Sequence, residues 1–281
     1  MAVETQAKTA AREGVTAGEL SQLIAEGPAA GKVGSGTAML AIMQRELASL
    51  FFSPIAYIVG AVFLGLAGYA FVTGTLVEGN EASMRTLLEW LAGGLVIALP
   101  LLTMRSIADE FSSGAIETLM TAPVTDTSVV LGKFLGALGF YLLLLAATAL
   151  HVVLMVRYAT PVGAVVFSGY LGMVLVGAFF LAVGIFASSC TRHQLLAATL
   201  AMGILSLFTF AAHQGSLVLG KTMVLGRVID WRKVCAYVNA YGHFSDFAKG
   251  SINLASVVFF LTGTALFLFL AVKVLESRRW R

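Results

Sequence analysis

Val165–Ser188 reads VVFSGYLGMVLVGAFFLAVGIFAS, and no residue in it carries a charge. At about 1.5 Å per residue, a helix of this length crosses the ~30 Å hydrocarbon core of a bilayer. Five more predominantly apolar runs flank it: Pro54–Val77, Thr86–Met104, Val129–Val156, Leu195–Ala212 and Ile252–Val272. The runs are continuous, without the alternating ten-residue pattern of barrel strands, so they predict helices that satisfy their own backbones in lipid. Composition agrees. Charged residues make up 12% of the 281, about half the ~25% usual in soluble domains, while 58% are hydrophobic and the mean hydropathy is +0.90. The expected fold is an all-α polytopic membrane protein with six transmembrane helices.

The net charge of +3 is small and its basic residues are scattered, which excludes a nucleic-acid partner and leaves membrane lipids as the surface those charges meet. Six spans put both termini on one side. With the termini cytoplasmic, Arg85, Arg157, Lys221, Arg227, Arg232, Lys233 and Lys249 fall outside, leaving eleven of the 18 basic residues inside. Cys190 and Cys235 then lie on opposite sides and are expected to be free thiols. Residues 1–36 are rich in Ala and Gly and carry Glu4, Glu13, Glu19 and Glu26, which argues against a transit peptide; they read as a disordered cytoplasmic tail. Residues 37–281 form the six-span domain.

Between tail and first span, Leu40, Met43, Leu47 and Leu50 recur at helical spacing. This predicts an interfacial helix over Met39–Phe51, because Arg45 and Glu46 sit poorly in lipid, with Ser53 and Pro54 opening the next helix. Gly220–Gly250 mixes Trp231, Tyr237, Tyr241, Phe244 and Phe247 with charges, which suits short helices at the membrane boundary. Gly132 and Gly136 make a GxxxG pair that permits close helix approach in the third span.

Gly215–Thr222 (GSLVLGKT) fits the phosphate-loop pattern letter for letter. A working loop follows a buried strand and opens a helix, whereas this one trails a membrane span with Leu217, Val218 and Leu219 between its glycines. Its match is read as chance. Glu89, Lys133 and Lys273 are placed near span ends, and His151 and His213 read as boundary or packing residues; the midplane carboxylates of ion-coupled transporters are missing. No metal-ligand spacing and no catalytic constellation is visible, so no covalent chemistry and no bound cofactor are expected of this chain.

Arg105–Pro123 (RSIADEFSSGAIETLMTAP) is the most informative stretch. It reads as an acidic turn, a short helix over Gly114–Thr121, and a stop at Pro123. The pattern Asp109-Glu110, Ser113-Gly114, Ile116-Glu117, Leu119, Thr121, Pro123-Val124, then Leu131-Gly132-Lys133, resembles the signature of type-2 ABC exporter permeases, and within them the GldF-like and NosY-like branch, known from gliding motility. Arg45-Glu46-Leu47, Ser53–Ile58, Thr191–Gln194 and Leu275–Trp280 support the resemblance, which covers nearly everything after residue 38.

The resemblance implies a permease subunit of the bacterial inner membrane, paired with a second permease chain, identical or related. It is driven by two cytoplasmic ATPase subunits that hold ATP and magnesium. Gly114–Thr121 is then the cytoplasmic coupling helix, with Glu110, Gly114, Ile116, Glu117, Leu119 and Pro123 as ATPase-contact residues and Arg45 and Glu46 on the interfacial helix. The rival reading is a membrane anchor for a gliding or secretion complex, with no transport of its own.

Overall fold

A computed structural model describes residues 35–75, 84–114, 124–158, 163–218, 221–224 and 227–279. Six of its helices are long and apolar enough to cross a membrane: Pro54–Gly74, Met84–Ser112, Asp126–Arg157, Gly163–Cys190, Gln194–Gly215 and Leu254–Arg278. They are the six expected spans, several of them extended by a turn or two where polar residues continue the helix. The tail assigned to 1–36 lies, up to residue 34, outside the described residues.

The fourth span, Gly163–Cys190, is the hub of the bundle. Some 72% of its most apolar window is buried, against 22% for the sixth span, which therefore stands at the periphery. Lipid tails are as apolar as leucine, so packing rather than water exclusion holds such helices together. Glycines make that packing possible here: the Tyr141 ring of the third span occupies the space a Cβ at Gly177 would need, and its hydroxyl donates to the Met173 carbonyl at 2.8 Å. Lower down, Phe179 is ringed by Phe180, Phe208, Phe259, Phe260 and Phe267 at centroid distances of 5.6–6.1 Å, joining the fourth, fifth and sixth spans.

Helix α1 (Ser35–Phe51) precedes the first span and lies along the beginning of the third. The GxxxG pair is the reason. A Cβ on Gly132 would stand 2.9 Å from the Met39 carbonyl oxygen, and one on Gly136 would stand 2.9 Å from that of Met43. Leu50 and Ala38 are buried, whereas Leu40, expected on the apolar side, is half-exposed. Two spans carry π-helical segments, Phe71–Thr75 and Leu207–Ala211.

The segment after the fifth span departs from expectation. In place of short helices alone, Lys221–Val224 and Arg227–Asp230 pair as an antiparallel hairpin, with Lys221 opposite Asp230. Thr222, Val224, Val228 and Ile229 favour strand. Helix α2 (Trp231–Val238) follows and buries none of its residues. Helix α3 (Ala240–Ala248) is capped by Asn239, whose side chain accepts from the Gly242 N–H. It enters the bundle rather than capping it: Phe244 and Phe247 are buried, Phe247 packs on Gly172, and the Ser168 hydroxyl donates to the Phe247 carbonyl at 2.8 Å.

Candidate functional site

At the end of the second span the helix gives way at residue 104 to a turn, and a five-residue helix, α4 (Ala108–Ser112), follows it. Polar contacts from the third, fourth and fifth spans converge on that turn and helix. The Ser188 hydroxyl of the fourth span accepts from the Ile107 and Ala108 N–H groups at 3.1 and 3.0 Å and donates to the Met104 carbonyl. Asp109 accepts from Arg105 Nε at 3.0 Å and from the Gln194 side chain, which opens the fifth span. Phe111 lies under the Arg278 guanidinium of the sixth span at 4.5 Å, while Arg278 also donates to the Cys190 carbonyl.

Lys133 of the third span completes the arrangement. Its side chain is 4% exposed, and its ammonium meets Glu110 Oε1 at 2.9 Å, Glu46 Oε2 at 3.2 Å and the Ser106 carbonyl at 2.6 Å. Three acceptors match the three N–H bonds of an ammonium. The Ser106 hydroxyl donates to Glu46 Oε1 at 2.8 Å, and Arg45 reaches Glu110 Oε1 at 3.5 Å. Burying a lone ammonium is costly, so two carboxylates and a carbonyl are what make its position tenable.

Glu46 and Glu110 therefore meet on one lysine, and Arg45 joins them through Glu110. Gly114 stands at the exit of α4 with φ +73°, a conformation that suits glycine. Ile116, Glu117, Leu119 and Pro123, and with them the expected Gly114–Thr121 helix beyond its first residue, lie outside the described residues. Lys133, Ser106, Ser188, Gln194 and Arg278 are the members that sequence reading did not assign to the site. A lysine four residues into a 28-residue apolar run was the available signal, since intramembrane charge is costly unless paired. Placing Lys133 at a span end correctly located it but left its partners unread.

A cavity of about 320 Å³ opens beside the cluster, between α1, the start of the first span and the turn after the second. A second, of about 560 Å³, lies near the far ends of the same spans, walled by Leu66, Trp90, Gly93, Phe210, His213 and Tyr241, with Glu89 at its edge. Burial, and then the negative charge of Glu89, pushes the Tyr241 phenol above its ordinary range. His213 faces Asn239 at 3.3 Å and the Tyr241 ring at 5.5 Å, and His151 donates to the Thr148 carbonyl and packs on Phe71. Both histidines are thus packed and hydrogen-bonded. Where the phosphate-loop letters stand, a helix ending at Val218 precedes a strand starting at Lys221, the reverse of the order a phosphate loop requires.

The profile of the ABC-2 family transporter proteins matches residues 15–272, nearly the whole chain. The chain belongs to the ABC-2 transporter family. As an ABC-2 protein it is a multi-pass membrane permease component of an ABC transporter, which is the coarse form of what the acidic loop suggested. The match covers residues 15–36 as well, within the stretch read as a tail. Comparison with curated proteins finds no match.

Proposed function

We propose that this ABC-2 permease works as an exporter driven by separate cytoplasmic ATPase subunits, with Arg45, Glu46, Lys133 and Glu110 as the junction through which their motion enters the bundle. The supporting observation is the anchorage of α4. Within five residues, this helix is tied to the third span by Glu110, the fifth by Asp109 and the sixth by Phe111, while Ser188 of the fourth span holds its first N–H groups. A displacement applied to the segment just beyond Gly114 is thereby delivered to four spans together, and to α1 through Glu46. Packed, hydrogen-bonded elements pass on a push because they shift between discrete arrangements rather than deform.

In this reading residues 114–121 form the coupling helix seated on the ATPase, a second permease chain completes the channel, and ATP and magnesium stay on the partner. The termini face the cytoplasm of a bacterial cell, in line with the charge asymmetry of the loops. The 560 Å³ cavity at the opposite end has a size and an apolar, aromatic lining that suit a substrate on its way out.

Glu117→Lys tests the proposal. Charge reversal at a buried interface pair costs roughly 2–5 kcal/mol, and at an exposed one under about 1 kcal/mol. The variant is expected to insert and fold normally while losing co-purification of the ATPase, or keeping it with transport uncoupled from hydrolysis. Parental co-purification together with parental transport would remove the coupling role. ATPase stimulation by a candidate substrate separates transport from anchoring.

A further inference from the structure

One wall of the 560 Å³ cavity carries a stretch with no side chain. Glu89, Trp90, Gly93 and Gly94 of the second span line it from a single face of their helix, and a Cβ on Gly93 would meet nothing within 4 Å. Another wall is the fifth span, whose α-helix opens into the π-helical turn Leu207–Ala211 that carries Thr209 and Phe210 to the cavity. Such turns insert a residue into a helix and recur at functional sites. Trp90 and Phe210 are 51% and 59% exposed, and the Tyr69 ring meets Trp90 edge-on at 6.3 Å.

The polar groups around this space are engaged, with one exception. The Glu89 carboxylate is held by Arg85 at 2.7 Å, so the charge at the cavity's edge is balanced. The Thr209 hydroxyl donates to the Leu205 carbonyl at 2.7 Å, and His213 meets Asn239. The Tyr241 hydroxyl makes no hydrogen bond among the described residues.

We infer that this cavity binds a neutral, flat aromatic molecule, laid along the bare helix face at Gly93 and accepting a hydrogen bond from Tyr241 through a carbonyl-type oxygen. The volume suits a ligand of that size, and the Trp90, Phe210 and Tyr241 rings offer it offset or edge-on contacts. A phenol hydroxyl donates, which calls for an acceptor on the ligand. A cation would have to displace Arg85 from Glu89, and an anion would face that carboxylate, so neither charge is favoured. A neutral aromatic compound also partitions into lipid, and the exposed rings of Trp90 and Phe210 stand on membrane spans. As a substrate class this rests on the export reading, but binding is measured without the ATPase, so failure of one is distinct from failure of the other.

The purified full-length chain in neutral detergent is dialysed to equilibrium against acridone, a neutral tricyclic ketone. Two relatives of similar shape, cationic proflavine and anionic acridine carboxylate, are run beside it, with detergent alone subtracted. Acridone is expected to saturate at one per chain and to bind about tenfold more tightly than either charged relative. Gly93→Leu puts a side chain into the open space and should weaken acridone at least about tenfold, while Tyr241→Phe removes the donor and should weaken it about fivefold. Gly203→Leu makes the same change at an exposed, uncrowded glycine earlier in the fifth span and should leave binding unchanged. If Gly93→Leu does not purify as one species, Phe210→Ala, which removes an exposed ring from the wall, reads the same point and should also weaken binding. Binding that does not saturate, or that the variant at Gly93 or Phe210 leaves intact, overturns the site. Proflavine or acridine carboxylate bound as tightly as acridone overturns the neutral class, and undiminished binding by Tyr241→Phe overturns the hydrogen bond.

Discussion

A lysine whose side chain is 4% exposed has exchanged bulk water for three specific oxygens, and its tolerance of change follows from that exchange. Removing one member of a buried ion cluster leaves the others charged and unsolvated, at roughly 3–5 kcal/mol, whereas an exposed pair is worth about 0–1 kcal/mol. Lys133→Met is therefore expected to lower the apparent Tm of the detergent-solubilised protein by many degrees, and Lys273→Met hardly at all, because Lys273 pairs with Glu276 at a 53% exposed position. Equal Tm values for the two variants would mean that the Lys133 cluster contributes little. Lys133 was visible in the sequence as an oddity of an apolar run. Its partners were not, because Glu46 stands 87 positions away in the chain and no periodicity reaches that far.

Among elements, the joint between α1 and the third span depends on absent side chains. Gly132 and Gly136 let the Met39 and Met43 carbonyls come within 2.9 Å of where a Cβ would stand, so a branched residue there forces the helices apart. Gly136→Val is expected to cost about 1–3 kcal/mol through overpacking, and to move Glu46 off Lys133 with it. Cysteines at Leu47 and Gly139, where a Cβ on Gly139 would meet Leu47 Cδ1 at 3.7 Å, check this: a short bifunctional thiol reagent should join them efficiently in the parent and poorly in the Gly136→Val background. Undiminished crosslinking would show that α1 is held by other contacts. The GxxxG spacing announced a close approach but not the partner, since any helix with an accessible backbone satisfies it. The hairpin at Lys221–Asp230 escaped the sequence reading for a related reason: aromatic and charged residues nearby suit a membrane boundary whatever the backbone does.

For the whole molecule, the fifth span separates Cys190, at the end of the fourth span, from Cys235 on α2 beyond the hairpin; both are free thiols and partly accessible. A membrane-impermeant thiol reagent applied to intact cells is expected to modify Cys235 and spare Cys190, and modification of Cys190 alone would invert the topology. The six spans and their order were determined by the sequence by itself, since hydrocarbon demands long apolar runs whose backbone groups are satisfied within each helix, and both requirements are local. The pattern running from Asp109 to Lys133 likewise carried the resemblance to ABC permeases. Tertiary structure alone decided that the fourth span is the hub, that Ala240–Ala248 enters the bundle, and that Lys133, Glu46 and Glu110 share one site. Hydropathy places a residue relative to the membrane, whereas a buried charge draws its partners from whichever elements packing brings beside it.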